Sequence, residues 1–238
     1  MLAVIPARGG SKRLPGKNIK NFLGRPLLAW TIEVAKASGI FDRIVLSTDD
    51  QEIATIGKKY GAEVPFLRPP ELATDTSPVI DSLKYTIERL KKEGYENKWF
   101  VLLEPSSPGR QPEHLREVVE IIKQEGNQWD SIVAVSKIPA NQTPPKALQI
   151  FPGHELKRHD GALIKDLIHR TQDLPDFYYI NSTLYAFKTA NLFQAKPSLW
   201  GDRVRAYPLE EKYACDIDTH DDWVIAEAKI KILLNLKQ

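Results

Sequence analysis

Short, almost uninterrupted apolar runs alternate with segments of helical period along the first half of the chain. The runs are Leu2–Ile5, Arg43–Ser47, Glu63–Leu67, Trp99–Leu103 and Ser131–Val135. Strands that read as continuous apolar runs are covered on both faces. Between them, Leu27, Leu28, Thr31, Val34, Ala35 and Ser38 share one helical face. Ile53, Ile56 and Tyr60 repeat the pattern, as do Ile80, Leu83, Ile87 and Leu90, and then Leu115, Val118, Val119 and Ile122. Apolar spacing of three and four residues marks a helix with one buried stripe. Strand and helix in alternation predict right-handed crossovers and a mostly parallel sheet, an α/β fold. Gly39 and Gly94 stand where helices end, and Pro112 where a first helical turn tolerates it.

The rhythm breaks at about Ile138. From there to Tyr179 the chain is irregular and carries Pro139, Pro144, Pro145, Pro152 and Gly153. So long a break inside a compact domain is expected to be functional or an inserted subdomain. Regularity returns at Ser182–Phe187 and Val204–Pro208, and a last helix is expected over Asp221–Leu236. A length of 238 residues favours one large domain over two.

Lys plus Arg is 33 and Asp plus Glu is 31, a net charge of +2. That balance argues against a nucleic-acid coat, which needs a basic excess to displace counterions. No stretch is long and apolar enough to span a membrane, and the apolar start is followed, not preceded, by basic residues. A cytoplasmic protein is therefore expected. The single cysteine, Cys215, excludes an internal disulfide and any multi-thiolate zinc site. The charge is unevenly placed. Residues 1–32 hold Arg8, Lys12, Arg13, Lys17, Lys20 and Arg25 and no acid, whereas residues 210–222 hold Glu210, Glu211, Asp216, Asp218, Asp221 and Asp222 against Lys212.

The basic end forms one candidate site. Pro6-Ala7-Arg8-Gly9-Gly10-Ser11-Lys12-Arg13-Leu14-Pro15-Gly16-Lys17-Asn18 follows the first strand, at the carboxyl edge where open α/β sheets bind ligands. Gly9 and Gly10 let backbone N–H groups approach an anion, and Arg8, Lys12 and Lys17 supply charge, which suits a triphosphate. The segment matches neither the dinucleotide fingerprint nor the P-loop; the plainer reading is a solvated basic loop. The acidic end forms a second candidate. In an extended segment Asp216 and Asp218 point the same way, as Mg²⁺ ligation through carboxylates and substrate phosphates requires, unless Asp218 or Thr219 only caps the next helix. Leu102-Leu103-Glu104-Pro105-Ser106-Ser107-Pro108-Gly109-Arg110 ends a strand and is either site or ordinary turn. Arg68, in Leu67-Arg68-Pro69-Pro70-Glu71-Leu72-Ala73-Thr74-Asp75-Thr76-Ser77, is either site or surface ion pair.

In this order, these segments and Ser47-Thr48-Asp49-Asp50 resemble the cytidylyltransferases that make CMP-activated nine-carbon ulosonic acids, the N-acylneuraminate, legionaminate and pseudaminate group. The eight-carbon Kdo enzymes are more distant relatives. The resemblance covers essentially the whole chain. It implies a Rossmann-like sheet of the nucleotide-diphospho-sugar transferase type in a single domain. An inserted element at about 138–180 would join two subunits and complete the site across their interface. It implies CTP, a ulosonic acid and Mg²⁺. Arg8, Gly9, Gly10, Ser11, Lys12, Lys17, Asn18 and Arg68 would hold CTP, with Arg8 and Lys12 offsetting phosphate charge in catalysis. Asp216 and Asp218 would hold the metal; from the chemistry of the transfer, Asp216 is expected to take the proton of the attacking hydroxyl, directly or through the metal. Glu104, Ser106, Ser107, Lys146, Arg170, Gln172 and Asn181 would lie on the sugar side.

Two departures fall on that sugar side. The family's usual Gln is Glu104 here, and its usual Arg-Pro-Asn-Gly is Tyr179-Ile180-Asn181-Ser182. A carboxylate at 104 would repel the carboxylate of the sugar acid unless it faces a cation, an amine or a hydroxyl. The expected alternatives are therefore an amino-substituted or Kdo-like acceptor, or another sugar and nucleotide pair. A silent nucleotide-binding scaffold is disfavoured, because the basic loop and the aspartate pair are both kept.

Overall fold

The computed structural model describes residues 1–167, 170 and 174–235. Strand β1 (Leu2–Pro6) leads through the small hairpin β2 (Asn21–Phe22) and β3 (Arg25–Pro26) into α1 (Leu27–Ser38). Then come β4 (Arg43–Ser47), α2 (Gln51–Tyr60), α3 (Val79–Lys92), β5 (Trp99–Leu102), α4 (Pro112–Glu125) and β6 (Ser131–Lys137). The hairpin β7 (Leu148–Ile150) and β8 (Leu156–Arg158) follows. The chain closes with β9 (Tyr178–Lys188), β10 (Val204–Pro208) and α5 (His220–Asn235).

The main sheet has the order β10-β6-β9-β5-β1-β4. Strand β1 runs parallel to both β4 and β5, and β10 parallel to β6. Strand β9 is antiparallel to both neighbours, β5 and β6. The continuous apolar runs have the reason expected of them. Ala3 and Ile5 of β1 pack with Leu28 and Ile32 of α1 and with Leu115 and Val118 of α4, while Leu2 and Val4 pack with Leu83, Ile87 and Leu90 of α3. Helices thus cover both faces, and both sets of alternate side chains are buried.

Helix ends follow local chemistry. The Asp50 carboxylate accepts from the backbone N–H of Glu52 and Ile53 at 2.8 and 2.9 Å, which starts α2. Gly39 closes α1 at φ 68°, in the left-handed region. Thr219 and Asp222 cap α5 reciprocally: Thr219 Oγ1 accepts from Asp222 N at 3.2 Å, and Asp222 Oδ2 accepts from Thr219 N at 2.8 Å. Capping falls to Thr219 and Asp222, so the Asp218 carboxylate has no capping role.

Three expectations are corrected. Glu63–Leu67 is not a strand; its backbone pairs with β4 through Leu46 N–H to Glu63 O at 2.8 Å and Glu63 N–H to Ile44 O at 2.7 Å, an isolated bridge. Pro65 has no N–H for a ladder, and the chain leaves the sheet there. Strand β9 begins at Tyr178, before the expected Ser182, because its first rungs pair with the outer end of β6, Lys137 with Tyr178. The stretch read as irregular from Ile138 to Tyr179 consequently ends at the sheet by Tyr178, and it is not wholly irregular, since it contains the β7–β8 hairpin. No helix among the described residues is long and apolar enough to cross a membrane.

Candidate active site

Strand β4 lies on one side of β1 and β5 on the other, so a crevice opens outside their carboxyl ends. A cleft of about 610 Å³ occupies it. Of the residues expected to bind, Arg8, Gly10, Ser11, Lys12, Lys17, Asn18, Arg68, Glu104, Ser106, Asp216 and Asp218 all line this cleft. These residues come from both ends of the sequence. A third apolar cluster makes that possible: Leu14 of the basic loop packs with Phe22, Trp30, Cys215, Ile217 and Trp223. Ile217 is fully buried while the aspartates on either side of it turn to the cleft. Cys215 belongs to this packing, and burial pushes its thiol up to about 11, so it is not a nucleophile.

Hydrogen bonds fix the loop. Asn18 Nδ2 donates to Arg8 O at 3.0 Å. Lys17 Nζ donates to Ile217 O at 2.5 Å and to Asp218 Oδ1 at 3.0 Å, and Arg13 reaches Asp218 Oδ2 at 3.3 Å. The two glycines serve different ends. A Cβ at Gly9 would come within 2.8 Å of the Asp50 carboxylate, so Gly9 is needed for packing; its N–H donates to Asp49 Oδ1 at 3.1 Å. A Cβ at Gly10 would meet nothing, and its bare backbone faces the cleft.

The cations of the cleft are held as if for an anion. The Arg8 guanidinium lies 3.1 Å and the Lys12 ammonium 2.7 Å from opposite oxygens of Asp75. Those contacts, Lys12 foremost, draw the Asp75 carboxyl below its ordinary range. Arg68 is only 5% exposed, lies 3.6 Å from Asp49, and its Nε has no partner. A buried guanidinium with an orphaned N–H beside a cleft is suited to an anionic ligand.

Glu104, Asp216 and Asp218 line the same cleft. Burial, helped by the charge of Asp216, pushes Glu104 up to about 7. Burial also raises Asp216, the Ser106 hydroxyl draws it down, and the neighbouring charge of Asp218 raises it again. Beneath them Arg110 is completely buried. It donates to Thr183 O, to Thr31 Oγ1 at 3.2 Å and to Glu104 O at 3.1 Å, and burial lowers it to about 10. Two hard carboxylate donors on one wall fit Mg²⁺ completed by substrate phosphates. Among the described residues no three acidic, imidazole or thiol groups converge to hold a metal by themselves.

Other expected residues stand elsewhere. Ser107 is buried and donates to Ser182 O at 2.8 Å. Asn181 is buried with its amide spent within the sheet, Nδ2 on Ser136 Oγ at 2.9 Å and Oδ1 on Thr183 N at 3.1 Å. It does not line the cleft, because Ser136 and Thr183 already use both ends of its side chain. Lys146 and Arg170 sit in the insert, outside the lining of this chain's cleft. Gln172 lies outside the described residues. Asp75, Thr74, Ser77 and Ser82 line the cleft without having been singled out, although the first three belong to the segment that carries Arg68.

A family model described as cytidylyltransferase matches residues 2–235. A CMP-N,N'-diacetyllegionaminic acid synthase of Legionella pneumophila is 36% identical over 233 residues, 98% of this chain and 97% of that protein. A pseudaminic acid cytidylyltransferase of Campylobacter jejuni is 32% identical, over 97% of this chain and 96% of that one. A solved structure of CMP:2-keto-3-deoxy-manno-octonic acid synthetase complexed with CTP superposes with a TM-score of 0.70, over 100% of this chain and 99% of that one. At 17% identity, it shares the fold.

Proposed function

This chain belongs to the cytidylyltransferase family, and on that footing we propose that it transfers CMP from CTP to the anomeric hydroxyl of a nine-carbon ulosonic acid, releasing pyrophosphate. The observation that carries this reading is the meeting of the basic loop after β1 with the Asp216–Asp218 segment before α5, Lys17 Nζ lying 3.0 Å from Asp218. Nucleotidyl transfer needs both: cations for a triphosphate, and carboxylates beside the phosphorus under attack.

Arg8, Ser11, Lys12, Lys17, Asn18 and Arg68 hold CTP, with Gly9 and Gly10 giving backbone access. The sugar hydroxyl attacks the α-phosphorus, forming one P–O bond as the bond to the bridging oxygen of pyrophosphate breaks. Arg8 and Lys12 neutralise the leaving pyrophosphate, and Asp216 receives the hydroxyl proton. Positioning and charge neutralisation dominate such a transfer. Mg²⁺ bound at Asp216 and Asp218 would favour the charged form of Asp216, which burial foremost and the charge of Asp218 disfavour, and would neutralise phosphate charge. Glu104 and Ser106 stand on the sugar side of the cleft.

The insert exposes Leu148, Ile150, Leu156 and Leu163. That apolar face, and the position of Lys146 and Arg170 away from their own cleft, support a homodimer in which each insert completes the partner's sugar site. The buried lone thiol and the CTP requirement suit work in the cytoplasm.

A second reading is favoured by Glu104. An ionised Glu104 pairs with an ammonium, so an amino-substituted ulosonate is the alternative acceptor; Glu104→Gln then shifts preference towards the N-acylated sugars.

The test is pyrophosphate release with Mg²⁺, pairing each of CTP, UTP, GTP and ATP with N-acetylneuraminate, legionaminate, pseudaminate, Kdo and amino-substituted ulosonates. Release from CTP with a nine-carbon acid is expected, and chelation should abolish it. Preference for another nucleotide, or no release with any ulosonate, sinks the reading.

A further inference from the structure

We infer that Lys229 and Tyr179, joined through Glu211, form a brace that positions the segment carrying Asp216 and Asp218. The inference rests on the role proposed above for those aspartates. Lys229, Tyr179 and Glu211 all stand outside the lining of the cleft.

The acidic segment belongs to no strand and no α-helix. It leaves a single turn of 3₁₀ helix, Glu211–Tyr213, and runs without regular structure to the start of α5 at His220. Neither a ladder nor a helix fixes its backbone, so separate contacts must. Downstream of Asp216, Ile217 N donates to Ser106 O at 3.0 Å, and the Ile217 side chain is fully buried. Upstream, the contacts come from Lys229. Its ammonium donates to Ala214 O at 2.9 Å, to Glu211 O at 3.3 Å and to Glu211 Oε1 at 3.1 Å. These are as many acceptors as an ammonium has protons, and all lie within residues 211–214. Asp216 sits between the two fastenings, two residues after one and one before the other.

Lys229 reaches this turn because it is three residues after Ala226 and four before Leu233, beside the stripe that α5 buries. A surface ion pair does not account for the arrangement. Glu211 is half exposed, and pairs of that kind contribute little. Two of the three Lys229 contacts are to main-chain carbonyls instead, and these set where the chain runs.

Glu211 carries the brace on to the sheet. Its Oε2 accepts from the Tyr179 hydroxyl at 2.6 Å, the length of a charge-assisted bond, while Oε1 faces Lys229. Burial foremost, and then the Glu211 carboxylate, raise the Tyr179 hydroxyl above its ordinary value, so it remains the donor. Tyr179 lies at the outer end of β9, opposite Ser136 of β6. One carboxylate thus bridges α5 and the sheet, and the turn that opens the acidic segment is held against both. The sheet contact falls where the chain returns from the insert, so the place of Asp216 is tied to that return.

The experiment measures steady-state kinetics with CTP and the best ulosonate of the panel above, and amide hydrogen exchange of the chain without substrate. The variants are Lys229→Met, Lys229→Arg, Tyr179→Phe, and Lys229→Met combined with Tyr179→Phe. Lys229→Met should lower kcat about tenfold and leave the KM for CTP within about twofold, because the phosphate-binding cations are untouched. Exchange should quicken at the Ile217 amide and its neighbours and stay unchanged in β1 and β5. Lys229→Arg should keep most of kcat, since charge and donors remain. Tyr179→Phe should lower kcat about threefold. The combined variant should be no slower than Lys229→Met alone, because both residues act through the same turn. Unchanged kcat in Lys229→Met overturns the inference. So does exchange that quickens evenly across the sheet, which marks general destabilisation, and so do losses that multiply in the combined variant. No pyrophosphate release from the parent chain with any ulosonate would refute the proposed reaction instead, and exchange at Ile217 would still decide whether the brace holds the segment.

Discussion

Glu104 is the carboxylate whose surroundings differ most from water, and its ionisation has a definite sign. Its folded value of about 7 lies above the ordinary 4.5, so the folded chain binds this proton more tightly than the unfolded one. The resulting stabilisation is complete below about pH 4.5 and fades as pH rises through 7. Replacing Glu104 with Gln removes the dependence. Between pH 4.5 and 8 the variant should gain up to about 3 kcal/mol in unfolding free energy relative to the parent. Denaturant titrations at both pH values check this, and parallel curves refute it. Asp75 makes the opposite kind of contact. It offers Arg8 and Lys12 a carboxylate where phosphate would otherwise go. Asp75→Asn should lower the KM for CTP by about two- to tenfold at low salt, with the advantage shrinking as salt screens the pairs. An unchanged or raised KM excludes competition. That Arg8, Lys12 and Asp216 share one cleft was legible because charge and position along the chain announce them. The engagement of Asp75 was not, since its ion pairs join loops far apart in sequence.

Element by element, the same division holds. Strands β1, β4 and β6 declare themselves in sequence because both of their faces are buried, leaving no polar alternation to confuse them. Glu63–Leu67 has the composition of a strand and fails as one at Pro65, where the ladder lacks a donor. The outer end of β9 was hidden for the converse reason: Tyr178 and Ile180 are about half exposed, and their strand state comes from pairing with β6 rather than from a buried pattern. The segment before α5 is held by Ile217, fully buried among Leu14, Phe22 and Trp223. Ile217→Ala should cost about 2–5 kcal/mol, as large-to-small changes in cores do. Because both aspartates flank this anchor, kcat should fall more than the KM for CTP. A variant that loses stability but keeps its kcat at a temperature where it is folded would show that the aspartates are held by other contacts.

For the molecule as a whole, the proposed homodimer turns on the insert. Ile150 is 71% exposed on β7, so a charge there leaves the sheet and its core untouched. Ile150→Glu should convert a dimer to monomers in light scattering, with little change in thermal midpoint at low concentration and a large loss of turnover. A dimer that survives the change would move the interface elsewhere. The insert departs from β6 and rejoins at β9, and these strands are neighbours. Lys137 pairs with Tyr178, and the next residue, Ile138, donates to Phe177 O at 2.8 Å. To the sheet, everything between is a loop whose two ends are already fastened side by side. Such a seam makes the insert an exchangeable cassette. Its length and sequence can drift, or be replaced outright, without disturbing the crevice; under the proposed role of the insert, selection can then retune the choice of acceptor independently of the chemistry performed on it.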